Sequence, residues 1–238
     1  MNDEEEGNGK NVFDSGHYYI GQFKNGCRHG KGTIYYPDGD ILYEGDFFYD
    51  QMEGNGKEYY DNGEYYIGQF KYNAKDGKGV YYNSKGLIKY EGDLLNDEMD
   101  GYGKFYYLDD EKYEGQFKKS SREGIGKLIF KDGDYYIGEY KNNKRNGKGK
   151  EYYKNGNIKY EGEFVDDEKE GNGKYIYENG GYYIGQFKNG LVKGKGTEYY
   201  PNGTVMYEGD WLNNTAEGDG EYYIGEFKNN ERGGFGIQ

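Results

Sequence analysis

Apolar and polar positions in this chain do not follow a helical period. From Tyr18 to Lys24 they alternate: Tyr19, Gly21 and Phe23 share one parity, and Ile20, Gln22 and Lys24 share the other. A period of two describes a strand with two unlike faces. The pattern returns as Tyr43, Gly45 and Phe47 against Glu44 and Asp46, and again as Tyr66, Gly68 and Phe70. A second short stretch follows each first one. After Tyr19 it runs from Gly30 to Tyr36, with Gly30, Gly32, Ile34 and Tyr36 on one parity. Asn-Gly, Asp-Gly and Pro-Asp-Gly strings bound these stretches, which is the signature of consecutive hairpins. No segment carries an apolar stripe at 3.6 residues, so the pattern predicts an all-β chain with little or no helix.

The hairpins recur. The tyrosine of each Tyr-Ile-Gly or Tyr-Glu-Gly triplet falls at 19, 43, 66, 90, 113, 136, 160, 183, 207 and 223. The intervals are 24, 23, 24, 23, 23, 24, 23, 24 and 16. A half repeat, Glu6 to Gly16, precedes them. The division is therefore an acidic tail over residues 1–5 and a repeat array over residues 6–236. The short last interval predicts one strand, Glu221 to Lys228, where two would otherwise form. Glycine inside a strand weakens it. A ring laid over the glycine restores the contact, so the fixed Tyr, Gly and Phe positions predict a stripe of rings along the sheet. Stacked repeats of this kind need no central core.

The succession Tyr-x-Gly-x-Phe, Gly-x-Gly and a glycine-closed turn resembles the MORN repeat (membrane occupation and recognition nexus). Tyr160, Gly162 and Phe164 within Tyr160 to Gly180, and Tyr183, Gly185 and Phe187 within Tyr183 to Gly203, carry the resemblance closely. It covers nearly the whole chain. The resemblance implies an elongated, twisted, single-layer antiparallel meander of consecutive hairpins. It also implies kinship with junctophilins, plant phosphatidylinositol-phosphate kinases, a histone lysine methyltransferase, radial-spoke head proteins and parasite cytoskeletal scaffolds. In these the repeats mediate association, and catalysis lies in a separate domain.

Composition narrows the function. The net charge is −13, yet 33 of 238 residues are Tyr, which separates the chain from disordered acidic sequences. A polyanion such as nucleic acid is disfavoured by that charge. An anionic membrane is disfavoured too, although basic runs such as Lys24 to Gly32 offer headgroup contacts. These basic runs alternate with acidic ones such as Tyr49 to Gly56. Placed as turns along one sheet edge, they would help fix register. The single Cys27 reads as a turn residue. His17 and His29 are too few for a zinc site and lack a triad arrangement. The carboxylate pairs Asp109-Asp110 and Asp166-Asp167 recur at turn positions, as structural motifs do. The acidic run Asp97-Glu98-Asp100 lacks the spacing of a calcium loop. No catalytic, metal or cofactor residue is expected.

The expected function is a non-enzymatic scaffold with protein partners, in the cytoplasm and in cytoskeletal or ciliary assemblies. A homodimer through the sheet ends is expected near Phe235 and Ile237, because open sheets end in unpaired strands. The alternatives are a peripheral phosphoinositide or membrane-associated module and a regulatory module of a lipid-kinase-like enzyme.

Overall fold

A computed structural model of the chain describes residues 6–217. These residues form 19 strands and no helix. The chain divides into two compact units, Met1–Ser121 and Arg122–Gln238.

The first unit holds β1 (Gly7–Val12), β2 (Tyr18–Lys24), β3 (Cys27–Tyr35), β4 (Ile41–Phe48), β5 (Gln51–Tyr59), β6 (Tyr65–Lys71), β7 (Ala74–Tyr82), β8 (Ile88–Leu95), β9 (Glu98–Tyr106) and β10 (Lys112–Lys118). Each pairs antiparallel with the next in sequence. The second unit holds β11 (Ser121–Ile129), β12 (Tyr135–Lys141), β13 (Lys144–Tyr152), β14 (Ile158–Val165), β15 (Glu168–Ile176), β16 (Tyr182–Lys188), β17 (Leu191–Tyr199), β18 (Val205–Leu212) and β19 (Thr215–Glu217). Its strands pair in the same order. Each unit is thus an antiparallel meander of hairpins. Residues 1–5, the strand expected over Glu221 to Lys228, and Phe235 and Ile237 lie outside the described residues.

Two kinds of turn alternate. Within a repeat the strands are joined by two residues, both at positive φ: Asn25-Gly26, Tyr49-Asp50, Tyr72-Asn73 and their equivalents. This is the mirror-image turn whose twist matches that of the flanking strands. Between repeats the loop is longer. In Tyr36 to Asp40, the Gly39 N–H donates to the Tyr36 carbonyl and the Tyr36 N–H donates to the Asp40 carbonyl. Gly39 sits at φ +100, which favours glycine.

The charged runs expected in turns lie in strands instead. Cys27, Arg28 and His29 open β3, and only Asn25-Gly26 forms the turn. The physical reason is a bulge. Gly21 pairs with Gly32 and Phe23 with Arg28, so one residue of β2 faces three of β3. Gly30, at φ +67, takes up the excess length inside the strand.

A second bulge accounts for the alternation of 23 and 24. After a 23-residue interval the strands stay in register, as in Glu58↔Tyr66 and Tyr59↔Tyr65. After a 24-residue interval the register slips by one: Ile34 pairs with Tyr43, but Tyr35 pairs with Ile41. The extra residue is Leu42 here, and Lys89, Lys159 and Met206 in the other 24-residue intervals. Every tyrosine therefore keeps the same phase despite the change in spacing.

Candidate interaction surface

The repeat tyrosines build one face. Tyr19, Tyr43, Tyr66, Tyr160 and Tyr183 are almost wholly buried, as are Phe23, Phe47, Phe70, Phe164 and Phe187. Each Tyr ring leans over two glycines, one on its own strand and one directly opposite. A Cβ built on Gly21 would lie 2.5 Å from the Tyr19 Cζ, and one on Gly32 would meet the same ring. Gly45, Gly68, Gly162 and Gly185 lie in the same way beneath Tyr43, Tyr66, Tyr160 and Tyr183. The hydroxyl reaches past the glycine to the next carbonyl: Tyr19 donates to the Gln22 carbonyl at 2.9 Å and Tyr66 to the Gln69 carbonyl at 3.2 Å. That bond is why tyrosine rather than phenylalanine stands here.

A single sheet needs a roof over such rings. Phenylalanines supply part of it. Tyr19 meets Phe23 and Phe47 edge-on, at 5.2 and 5.0 Å between centroids. Such pairs contribute about 0.5–1.5 kcal/mol beyond their burial. Cations supply the rest. Arg28 lies over Tyr19 and Phe47, Arg145 over Tyr136 and Phe164, and Lys75 near Tyr66 and Phe70. Lys75 is buried and pairs with Glu58 and Asp97. Burial alone would lower its pKa. The hydrogen bond and charge of Glu58, with Tyr81 and Asp97, offset this and leave the pKa raised. Burial likewise pushes Tyr66 and Tyr183 up to about 12.

Two side-chain contacts escape sequence reasoning. The residue three after each tyrosine accepts a bond from the N–H that follows the bulge glycine. Gln22 Oε1 accepts from Lys31 N at 2.8 Å, and Asp46, Gln69, Asp93, Glu139 and Gln186 act alike. The second turn residue fastens its repeat to the preceding one. Asn73 N–H donates to the Met52 carbonyl, and its Oδ1 accepts from Met52 N at 2.8 Å. Asp50, Asp97, Ser120, Asn143, Asp167 and Asn214 repeat this. Three of them also form ion pairs from one repeat to the next, namely Arg28–Asp50, Lys75–Asp97 and Arg145–Asp167. The recurrence of Asn or Asp in the turns was the available signal, but either residue also suits positive φ on its own.

The opposite face is open. Ile20, Ile67, Ile137 and Ile184 stand outward in the first strands, 38–45% exposed. In the first unit they border a groove of about 620 Å³ lined by Ile20, Thr33, Glu44, Lys57, Ile67 and Lys31, with Gly32, Gly45 and Gly56 as floor. The second unit has an equivalent groove of about 490 Å³ around Ile137, Lys148, Lys150, Glu161 and Glu163. Beside the isoleucines stand stacked tyrosine pairs: Tyr18–Tyr35, Tyr65–Tyr82, Tyr135–Tyr152 and Tyr182–Tyr199, with centroids 4.5–4.8 Å apart. A lysine ammonium caps each pair at 4.2–4.4 Å: Lys10, Lys57, Lys127 and Lys174. The doubled tyrosines of "YYIG" were the sequence signal for this face. His17 Nδ1 meets Ser15 Oγ in an exposed turn, and His29 packs on Phe48 and Tyr49. Among the described residues no group of three or more His, Cys, Asp or Glu is placed to hold a metal.

Stacked hairpins with a buried tyrosine face and an open second face define a β-hairpin repeat protein. The MORN repeat profile matches residues 19–41, 43–65, 66–88, 90–110, 113–135, 136–158, 160–182, 183–205, 207–222 and 223–238, and the chain belongs to this family. A search of curated proteins returned no match. Among solved structures the chain is similar to a mutant TCP10 domain of Danio rerio CPAP, with 12% identity over 86% of this chain and 90% of that one and a TM-score of 0.39. It is also similar to a Bacteroides caccae protein of unknown function, with 11% identity over 87% and 83% and a TM-score of 0.21. Both likenesses are too distant to bear on function.

Proposed function

We propose that the chain is a non-enzymatic scaffold that holds protein partners along its open face. The observation that carries this reading is the repeated outward isoleucine. Within each unit Ile20 and Ile67, and Ile137 and Ile184, occupy one outward position in alternate first strands; Ile20 and Ile67 flank a groove floored by backbone in the first unit, and Ile137 borders its counterpart in the second. Within each unit the two isoleucines are four strands apart, about 19 Å at ~4.8 Å per strand. A partner with apolar side chains at that spacing would be held at several points. Each contact is weak alone and gains from being linked. The family's association with cytoskeletal and ciliary assemblies supports a setting of that kind in the cytoplasm.

The test replaces the four isoleucines by aspartate together. They are exposed, so the β signal in circular dichroism should not change. Affinity capture from native cells should recover a protein partner with the natural chain and lose it with the variant. Recovery of the same partner by both would place the contact elsewhere. No stable partner at all would count against a scaffold.

A further inference from the structure

The tyrosine face carries cations of its own. In the third repeat the Lys75 ammonium lies 5.6 Å from the ring centroids of Tyr60 and Tyr66 and 5.9 Å from that of Phe70. Glu58 pairs with it, and Asp97 accepts a bond from its Nζ at 3.4 Å. Arg28 lies over Tyr19 in the first repeat in the same way. The rings attract the positive charge, and the carboxylates take up the N–H donors.

One repeat further on, this seat changes. Register fixes the equivalences. Phe70 pairs with Lys75 and Leu94 with Met99, while Glu58 pairs with Tyr66 and Tyr81 with Tyr90. Met99 therefore stands for Lys75, Leu94 for Phe70 and Tyr81 for Glu58. The exchanges remove the ammonium and its carboxylate, and they put a ring where the carboxylate stood. Met52 of the second repeat is uncharged too, but there Phe47 and Phe70 both meet Tyr43 edge-on. Leu94 leaves the fourth repeat one ring short. A cavity of about 240 Å³ results in the first unit, lined by Tyr81, Tyr90, Phe105 and Met99. The Tyr81 and Tyr90 rings are inclined at 56° with centroids 6.4 Å apart, so they form two walls set at an angle.

The polar groups that border the cavity are engaged. Ser120 Oγ accepts the Met99 N–H at 3.2 Å, Asp97 is bonded by Lys75, and Lys89 pairs with Glu64 at 2.7 Å. A bare ammonium would lose water here and find no carboxylate in the place of Glu58. A methylated ammonium has no such need. Its methyl groups pack on the walls, and the ring quadrupoles hold its charge. The local field has the matching sign: burial raises the Tyr90 pKa first, and the Asp93 and Asp100 carboxylates raise it further.

We propose that this cavity takes the methylated ammonium of a modified lysine on a partner protein. A lysine-bearing segment suits a chain of net charge −13, whereas the phosphate of a choline headgroup would face Asp97. The cavity is on the tyrosine face, so this reading and the isoleucine reading can fail separately.

The test is calorimetric titration of the full chain with a short glycine-flanked peptide carrying one trimethyl-lysine. The same peptide with unmodified lysine, and with a neutral tert-butyl group in place of the trimethylammonium, are the controls. The trimethyl form should bind about tenfold tighter than either, the scale of a desolvated cation–ring contact. Phe105→Leu removes one ring and should weaken binding about tenfold. Met99→Lys puts the chain's own ammonium in the seat and should abolish binding, whereas Met99→Leu, uncharged and of similar volume, should keep it. Circular dichroism should show the same β signal for all three variants. The proposal is overturned if no form binds, if either control binds as tightly as the trimethyl form, or if Met99→Lys binds like the natural chain. Phosphatidylcholine vesicles bound as tightly as the peptide would overturn the choice of a protein partner.

Discussion

Gly9 and Gly79 occupy the same place in the repeat and have different neighbours. Gly79 lies under the Tyr66 ring, which belongs to its own first strand. Gly9 has no first strand of its own among the described residues, and only Phe23 approaches it. The difference separates two reasons for a glycine. At Gly79 a side chain is excluded because a buried ring needs the space. At Gly9 the ring that takes the space is Phe23, from the following strand, and it approaches less closely than the Tyr66 ring approaches Gly79. The cohesion of the array is thus a chain of dependencies: each first strand completes the second strand that follows it, and each turn fastens its repeat to the one before.

The comparison sharpens most under alkali. The repeat tyrosines sit above their ordinary pKa of 10.0, with Tyr66 and Tyr183 at about 12. Burial is the first cause in each, because it disfavours the phenolate. A raised acid in the fold contributes stability that is fully present below the unfolded value. It is lost as pH rises from about 10 through the folded value. Tyrosinate absorbance should therefore rise in two stages. The repeat tyrosines should ionise in the later stage, together with loss of the β signal. A single stage at pH 10 with the β signal intact would remove the buried stripe from the account.

Next in size is Tyr66→Ala, with an expected loss of about 4 kcal/mol, as for other large buried rings. Tyr66→Phe should lose about 1 kcal/mol, the worth of one hydrogen bond. Chemical unfolding measures both. Equal losses would mean that the hydroxyl, not the ring, holds the strands.

The turns carry smaller effects. Asn73 sits at φ 68 and makes two bonds to Met52. Asn73→Ala should lose about 1–2 kcal/mol, combining a lost bond with strain at positive φ. Asn73→Gly should lose less, because the strain term vanishes. Gly190 already fills the equivalent turn, with its N–H bonded to the Lys169 carbonyl. If the alanine and glycine variants unfold alike, the conformational part of this account is wrong.

The smallest expected effect is a gain. Asp110, at φ 64, takes the place held by glycine in the other described inter-repeat turns, such as Gly39, Gly63 and Gly133. Asp110→Gly should add about 0.5 kcal/mol by relieving left-handed strain. A loss would show that the Asp110 side chain matters more than its backbone.

Much of this was legible in the residue pattern. The strand Tyr18 to Lys24 appears with those limits, and Tyr19, Gly21 and Phe23 share a face. A period of two and a fixed repeat length are local signals, and the sheet follows from them. The segment Cys27 to His29 was not legible as strand. The glycines flanking it read as turn signals, whereas Gly30 makes a bulge at φ +67, and a glycine in sequence does not distinguish a bulge from a turn. The extra residue in alternate repeats was visible as a number but not as a bulge at Leu42, since register depends on both strands. The open face was half legible. Ile20 falls on the outward parity, but nothing in one strand shows that Ile20 and Ile67 border the same groove.

The measurement that bears most directly on the central claim pairs Gly79→Ala with Gly9→Ala in one unfolding experiment. A methyl at Gly79 collides with the Tyr66 ring and should lose about 3 kcal/mol, the scale of overpacking a close-packed site. A methyl at Gly9 meets the Phe23 ring at 3.0 Å or beyond. That variant should lose clearly less, about 1 kcal/mol, because the Phe23 ring has to give by only a few tenths of an ångström. Equal losses at the two glycines would contradict the claim that each repeat is held together by its own tyrosine over glycine.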